Sequence, residues 1–221
     1  MPKITAMDQD LNVLIADDHT LFRKGMVMML KTFPGIKSVH DAENGQKALD
    51  LMKDVKIDIV LLDIDMPVLD GKDTARKILS KYSDCRIIMV SMHDSLSTVS
   101  ELIDIGVHGY LLKSGTPKEV QTAIQFVRNN DFYYNQIVAK ALKNTIDNHL
   151  VNGEKSGVTR RESEILRLIC EELTMREIGE KLFISEKTIH THRKNLMKKT
   201  HAKNAVGLVK YAIQHKIVSF E

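Results

Sequence analysis

Only two cysteines occur among the 221 residues, Cys85 and Cys170, and they lie far apart. That spacing matches neither a zinc site nor a redox pair, and two distant thiols do not make a disulfide scaffold. A reduced, cytoplasmic setting is the expectation. Long apolar runs are missing as well. No stretch approaches the roughly 18 residues that cross a bilayer, so no membrane partner is expected. The first ten residues, MPKITAMDQD, carry no apolar core of the signal-peptide type. Internal repeats and low-complexity tracts are absent too. What remains, 43% hydrophobic and 28% charged, is an ordinary globular composition with room for one large domain or two modest ones.

Charge is unevenly placed. Residues 1–130 carry 16 lysines and arginines against 18 carboxylates, and residues 158–221 carry 13 against 8. An acidic front and a basic rear point to a polyanionic partner for the rear alone.

Four short apolar runs stand in the first half: LNVLIADD from Leu11, IDIVLLD from Ile57, RIIMVS from Arg86 and HGYLLK from His108. Runs of this length and composition, separated by helix-length segments, read as buried strands of a parallel sheet. Alternating strand and helix five times gives an open α/β sheet covered on both faces. Leu21, Phe22, Met26, Met29 and Leu30 fit one helical stripe, as do Val120, Ala123, Ile124 and Val127. Asn44-Gly45 and Asp70-Gly71 read as turns, and Pro67 stops any helix starting straight after Asp63.

The runs end on Asp17 and Asp18, Asp63, Ser91 and Lys113. Ligands of such sheets bind outside the carboxyl ends of the strands, so these five side chains should converge. Three carboxylates, a hydroxyl and an ammonium suit a metal ion and a phosphoryl group. Mg2+ takes one or two carboxylates and keeps several waters. Asp18 and Asp63 are the natural direct ligands, with Asp17 acting directly or through water and the main-chain carbonyl of Asp65 as a further oxygen. Asp63 can then attack phosphorus, Lys113 can bind the phosphoryl oxygens as a point charge, and Ser91 can donate a hydrogen bond.

After Asn130 the alternation stops. A helix is expected within Asp131 to Asn148, with Ile137, Ala141, Leu142 and Ile146 on one side, and LVNGEKSG from Leu150 reads as a linker. Only helical patterns follow. Thr159 with Glu162 is a capping-box start before Ile165, Leu166 and Ile169. Two helices joined by a turn lie within Leu173 to Thr200, the second capped by Ser185, and a last helix runs near Ala202 to His215 with Leu208, Val209, Ala212 and Ile213 inward. On the Ser185-capped helix, Ile189, His192 and Leu196 are expected inward, with His192 in a packing role. Lys187, Thr191, Lys194 and Lys198 form an outward basic stripe, with Thr188 and His190 beside it. A cationic helix of this length fits the major groove of B-DNA. Lysines can neutralise phosphates there, while His190, Thr191 and Lys194 can reach base edges.

On these motifs residues 11–130 resemble the receiver domain of bacterial two-component response regulators, a five-stranded doubly wound fold of flavodoxin-like topology. The resemblance implies a sensor histidine kinase as phosphoryl donor, Asp63 as acceptor, Ser91 and Tyr110 as switch residues, and Asp65 and His93 as the pair that sets phosphoryl lifetime. TRRESEILRLI, EIGEKLFISEKTIHTHRKNLMKK and AVGLVKYAI resemble the LuxR-type helix-turn-helix domain, here residues 158–221, with 131–157 as helix and linker. Together this is the layout of the NarL/FixJ subfamily. It implies a scaffold helix at Met175–Leu182, a recognition helix at Glu186–Lys199, a final helix able to pair two copies, and double-stranded DNA as partner. No separate substrate turnover is expected. Two departures stand out: Gly179 replaces the usual alanine at a cost of about 1 kcal/mol in helix propensity, and His201 occupies a turn where glycine is easier. A phosphatase of the haloacid-dehalogenase kind, using Asp63 and Asp65, is disfavoured by Pro67, which stands where that family wants threonine or valine. The remaining rival is a switch whose helical end binds protein rather than DNA.

Overall fold

The strand IVLLD is buried at every position, which only a central place in a sheet covered on both faces allows. It is β3 (Ile59–Asp63) of a five-stranded sheet whose other members are β1 (Leu11–Ala16), β2 (Ile36–Ala42), β4 (Arg86–Ser91) and β5 (Gly109–Leu112). The order is β2-β1-β3-β4-β5, with parallel pairing of β1 to β2, β1 to β3 and β3 to β4. The computed structural model describes residues 11–92, 95–130, 132, 133, 135, 137, 138, 158–171 and 173–218. The expected helix within 131–148 and the linker lie largely outside these residues, and His93 lies outside them altogether.

Helices α1 (Thr20–Leu30), α2 (Gly45–Asp54), α3 (Gly71–Lys81), α4 (Leu96–Ile105) and α5 (Pro117–Asn130) connect or follow the strands. Asn44-Gly45 and Asp70-Gly71, expected as turns, are helix starts. Asn44 and Asp70 are N-caps whose side chains accept from the backbone N–H of Lys47 and Asp73. Their glycines are demanded by space: a Cβ on Gly71 would run into the Asp63 carbonyl oxygen, and one on Gly45 into the Thr74 hydroxyl. The stripe assigned to α1 also needs correction. Met26 and Leu30 are buried, but Leu21 is 89% exposed. At 3.6 residues per turn Leu21 stands about 140° around the helix from Met26, and buried Arg23 takes its place.

The described residues divide into two compact units, one holding 11–92 and 111–124, the other 95–110 and 125–218. The second contains four C-terminal helices, α6 (Arg160–Cys170), α7 (Met175–Leu182), α8 (Glu186–Thr200) and α9 (Ala205–Gln214). Their core is Ile165, Leu166, Ile169, Ile178, Ile189, Leu196, Leu208, Val209 and Ala212. Thr159 and Thr174 each begin a helix with a complete capping box. Gly179 is explained by packing rather than tolerated as a defect: a Cβ there would stand 2.8 Å from the Ile184 carbonyl oxygen across the turn. His201 closes α8 in the left-handed region with φ 56°, and Phe183 closes α7 likewise at 55°. Residues 95–110, which hold α4 and the first two residues of β5, belong to this unit. Lys210 Nζ lies 2.6 Å from Asp104 Oδ1, and the Asn204 side-chain amide donates to the Val107 carbonyl at 2.6 Å. Asn204 is only 2% exposed and also caps α9. Both cysteines are free, their thiols pushed up to about 12 by burial. Among the described residues no helix is long and apolar enough to cross a membrane.

Candidate functional site: an acidic pocket and a basic helix

β1 and β3 are neighbours, yet the chain leaves β1 toward β2 on one side and returns to β3 on the other. At that switch of direction the loops part and leave a crevice at the carboxyl ends. Asp17 follows β1 and Asp63 ends β3, so both open into it. Lys113, one residue past β5, places its ammonium 2.7 Å from Asp63 Oδ2 and 2.8 Å from Asp17 Oδ2. Its side chain is 5% exposed, so the stem is enclosed and only the head reaches the carboxylates. Its backbone N–H donates to the Ser91 carbonyl at 2.8 Å, which fixes the end of β5 against the end of β4.

Burial pushes the Asp63 carboxyl above the ordinary carboxylate value and the nearby Asp17 charge adds to this, while Lys113 pulls the other way without prevailing. Burial alone would lower Lys113, but its bonds to Asp17 and Asp63 outweigh it, so the ammonium stays charged. Asp63 Oδ1 accepts from the Ile64 N–H at 2.8 Å, which leaves Oδ2 turned toward Lys113. Asp17 Oδ2 is sealed from solvent and meets the ammonium without a well-directed hydrogen bond. Asp18 is exposed at the rim.

These residues fit a divalent cation. Carboxylate oxygens of Asp17, Asp18 and Asp63 and a ring nitrogen of His19 all lie within 4.8 Å of one another. Hard oxygen donors of this kind suit Mg2+, and the poorly satisfied Asp17 Oδ2 has a lone pair to offer. Asp65 is exposed in the loop after β3, two residues beyond Asp63. Ser91 is buried at the end of β4, one residue past the Asp63–Val90 pair, and the Tyr110 ring is buried in β5.

Two residues near the pocket escaped the sequence reading. Buried Arg23 donates to the Asp17 carbonyl at 2.5 Å and to Asp41 Oδ2 at 3.0 Å, so it fixes the loop that presents the acidic pair. Its position within an apolar stripe was the available signal. His19 is the N-cap of α1, but its side chain does not cap the helix. The signal there was a residue type poorly suited to capping, directly after two aspartates.

On α8 the exposed residues include Lys187, Thr188, His190, Thr191, Lys194 and Lys198. Ser185 caps the helix, accepting from the Thr188 N–H at 3.1 Å, and its hydroxyl also bonds the Thr188 hydroxyl at 2.7 Å. The Thr191 hydroxyl donates to the Lys187 carbonyl. The inward face differs from expectation: Ile189 and Leu196 are buried, but Arg193 accompanies them and His192 is half-buried. The two residues sit about 50° to either side of the Ile189–Leu196 line, and the packing covers the arginine's side. Lys199, at the far end, meets buried Glu162 of α6 at 2.7 Å.

Comparison with known proteins finds a family match over each of the two regions. Residues 13–125 match the response regulator receiver domain, and residues 156–212 match the bacterial regulatory proteins of the luxR family. The transcriptional regulatory protein MctR of Rhizobium johnstonii is 35% identical over 95% of this chain and 96% of its own length. The response regulator UvrY of Escherichia coli K12 is 31% identical over 96% and 97%. A solved complex of the response regulator RcsB with DNA superposes with a TM-score of 0.57 at 25% identity, over 93% of this chain and 99% of that one.

Proposed function

The chain belongs to the two-component response regulators that join a receiver domain to a LuxR-type DNA-binding domain, and from that membership we propose how its own residues accept a phosphoryl group and pass the signal on. The Asp63 carboxylate attacks the phosphorus of a phosphohistidine on a sensor kinase. The P–N bond breaks, the imidazole leaves with a proton, and an aspartyl phosphate remains. The observation that carries this is Lys113 Nζ bridging Asp63 and Asp17 at 2.7 and 2.8 Å beside Asp18. The ammonium is already placed where phosphoryl oxygens would arrive, so no reorganisation is needed to meet the new charge. Asp17, Asp18, Asp63 and the Asp65 carbonyl would hold Mg2+, which supplies neutralisation of the incoming phosphoryl oxygens. Asp65 and His93 would set how fast water removes the group.

Phosphorylation adds roughly −1.5 to −2 charges and three acceptor oxygens. Ser91 moves to donate to one of them, and Tyr110 adjusts its place as α4 shifts. The α4–β5 stretch between these residues carries the Asp104 and Val107 contacts to Lys210 and Asn204. Loosening them frees α9, the helix able to pair two copies. The basic face of α8 is exposed already, so the restraint falls on pairing rather than on the recognition surface. Two paired copies then bind two half-sites about one helical turn apart. The protein works in the cytoplasm and turns over no separate substrate.

The test treats the full chain with acetyl phosphate and Mg2+, then measures mass and DNA retardation. One phosphoryl group at Asp63 and tighter promoter binding are expected, both lost in Asp63→Ala. A treated protein without that adduct overturns the proposal.

A further inference from the structure

His19 stands outside the residues given a role above, and its position is unusual. An N-cap residue normally turns its side chain onto the first helical N–H groups. His19 instead directs its ring toward the acidic pocket and leaves α1 uncapped. Its Nδ1 lies 2.8 Å from Asp18 Oδ1, 3.3 Å from Asp17 Oδ1 and 3.9 Å from Asp63 Oδ2. Around one octahedral ion with bonds near 2.1 Å, adjacent ligand atoms are about 3.0 Å apart and opposite ones about 4.2 Å. The three distances fall in or close to that range. The same nitrogen is 3.3 Å from Lys113 Nζ, an ammonium that can only donate, and in the tautomer protonated at Nε2 it turns a lone pair to the pocket.

We propose that His19 is a fourth protein ligand of the divalent cation in this pocket, and that its nitrogen gives the site a preference for a first-row transition ion over Mg2+. The inference rests on the reading of the pocket as a cation site. Three carboxylates alone form a hard oxygen set suited to Mg2+ or Mn2+. One imidazole added to them favours the transition ion, because nitrogen donors strengthen along the first row and Mg2+ gains little from them. His19 is 64% exposed, so the ring can swing onto an ion without disturbing the core.

Mn2+ serves as the probe, because its unpaired electrons report directly bound nitrogen through electron spin echo modulation. The full chain is loaded with Mn2+ and compared with His19→Ala and Asp63→Asn. Wild type should show one strongly coupled imidazole nitrogen. His19→Ala should keep the ion, lose the coupling, and bind Mn2+ about tenfold more weakly while its Mg2+ affinity changes less than about threefold. Asp63-dependent Mn2+ binding without nitrogen coupling overturns the proposal and leaves the cation site standing, with His19 merely pairing with Asp18. Coupling that survives in His19→Ala also overturns it, because another of the histidines would be its source. No Asp63-dependent binding at all removes the cation site and the proposal together.

Discussion

The acidic pocket and the end of the basic helix each bury a carboxylate beside a lysine, with opposite results. At Asp63 burial and the Asp17 charge prevail over Lys113, and the carboxyl is held above its ordinary value. At Glu162 burial again pushes upward, but Lys199 and the two Thr159 donors prevail, and the carboxyl falls below its ordinary range. The number of donors separates the two cases. Glu162 Oε2 accepts three hydrogen bonds within one capping arrangement, whereas Asp63 shares its single ammonium with a second carboxylate. The first arrangement is satisfied within the fold. The second is left short of positive charge, which is the state the proposed cation and phosphoryl group would relieve.

The largest effect should come from removing the shared ammonium. Lys113→Ala leaves two buried carboxylates facing each other, and breaking a buried pair in this way costs about 3 kcal/mol or more. In urea titrations without metal the variant should unfold first in the receiver half, and saturating Mg2+ should restore part of the loss. Equal stability with and without metal would mean that the ammonium and the cation do not serve the same carboxylates.

The comparison sharpens with pH. A carboxyl whose folded value is lowered stabilises fully above its unfolded value and loses that contribution as pH falls through the folded one. Lys199→Ala should therefore cost about 1 kcal/mol near neutrality, a modest figure because Lys199 is partly exposed. The difference from wild type should begin to shrink as pH falls below the ordinary value of 4.5 and vanish once pH has passed through the lower folded value. Asp63 has the opposite sign. Its folded value is raised above 3.8, so the folded chain takes up the proton first and stability falls as pH rises through that window. Asp63→Asn should raise the metal-free midpoint at neutral pH and flatten its pH dependence there. A lowered midpoint would show that the bond to Lys113 outweighs burial.

Much of this was legible in the sequence because strand ends in a parallel sheet are functional by topology. Four apolar runs were enough to bring Asp17, Asp18, Asp63 and Lys113 to one rim. β2 was harder to see: IKSVHDA is an edge strand with only Ala42 fully buried, so it carries no continuous apolar run. Periodicity also misassigned Leu21 and passed over buried Arg193 beside half-buried His192, since a stripe read from spacing cannot tell which flank a neighbouring helix covers. Arg23 and His19 were hidden for a different reason. Each acts through an interaction with residues already identified, and neither the buried arginine nor the uncapping histidine has a spacing that announces it.

The smallest effect is expected on α8, whose exposed charges the proposed function assigns to DNA rather than to the fold. Lys194 is exposed, and among the described residues no ion pair within 4 Å engages it. Lys194→Ala should leave the unfolding midpoint unchanged and flatten the slope of log affinity against log salt by about one unit, the loss of one neutralised phosphate. If the ammonium reaches a base edge instead, the loss should fall on specific sites by about 1–3 kcal/mol, with the nonspecific slope intact. Salt also distinguishes the two lysines. The Lys113 contacts are enclosed and should survive concentrations that screen an exposed charge within about one Debye length, roughly 8 Å at physiological ionic strength. A Lys113→Ala penalty that faded with salt as the Lys194→Ala effect does would place both ammonium groups in solvent and remove the contrast between pocket and helix.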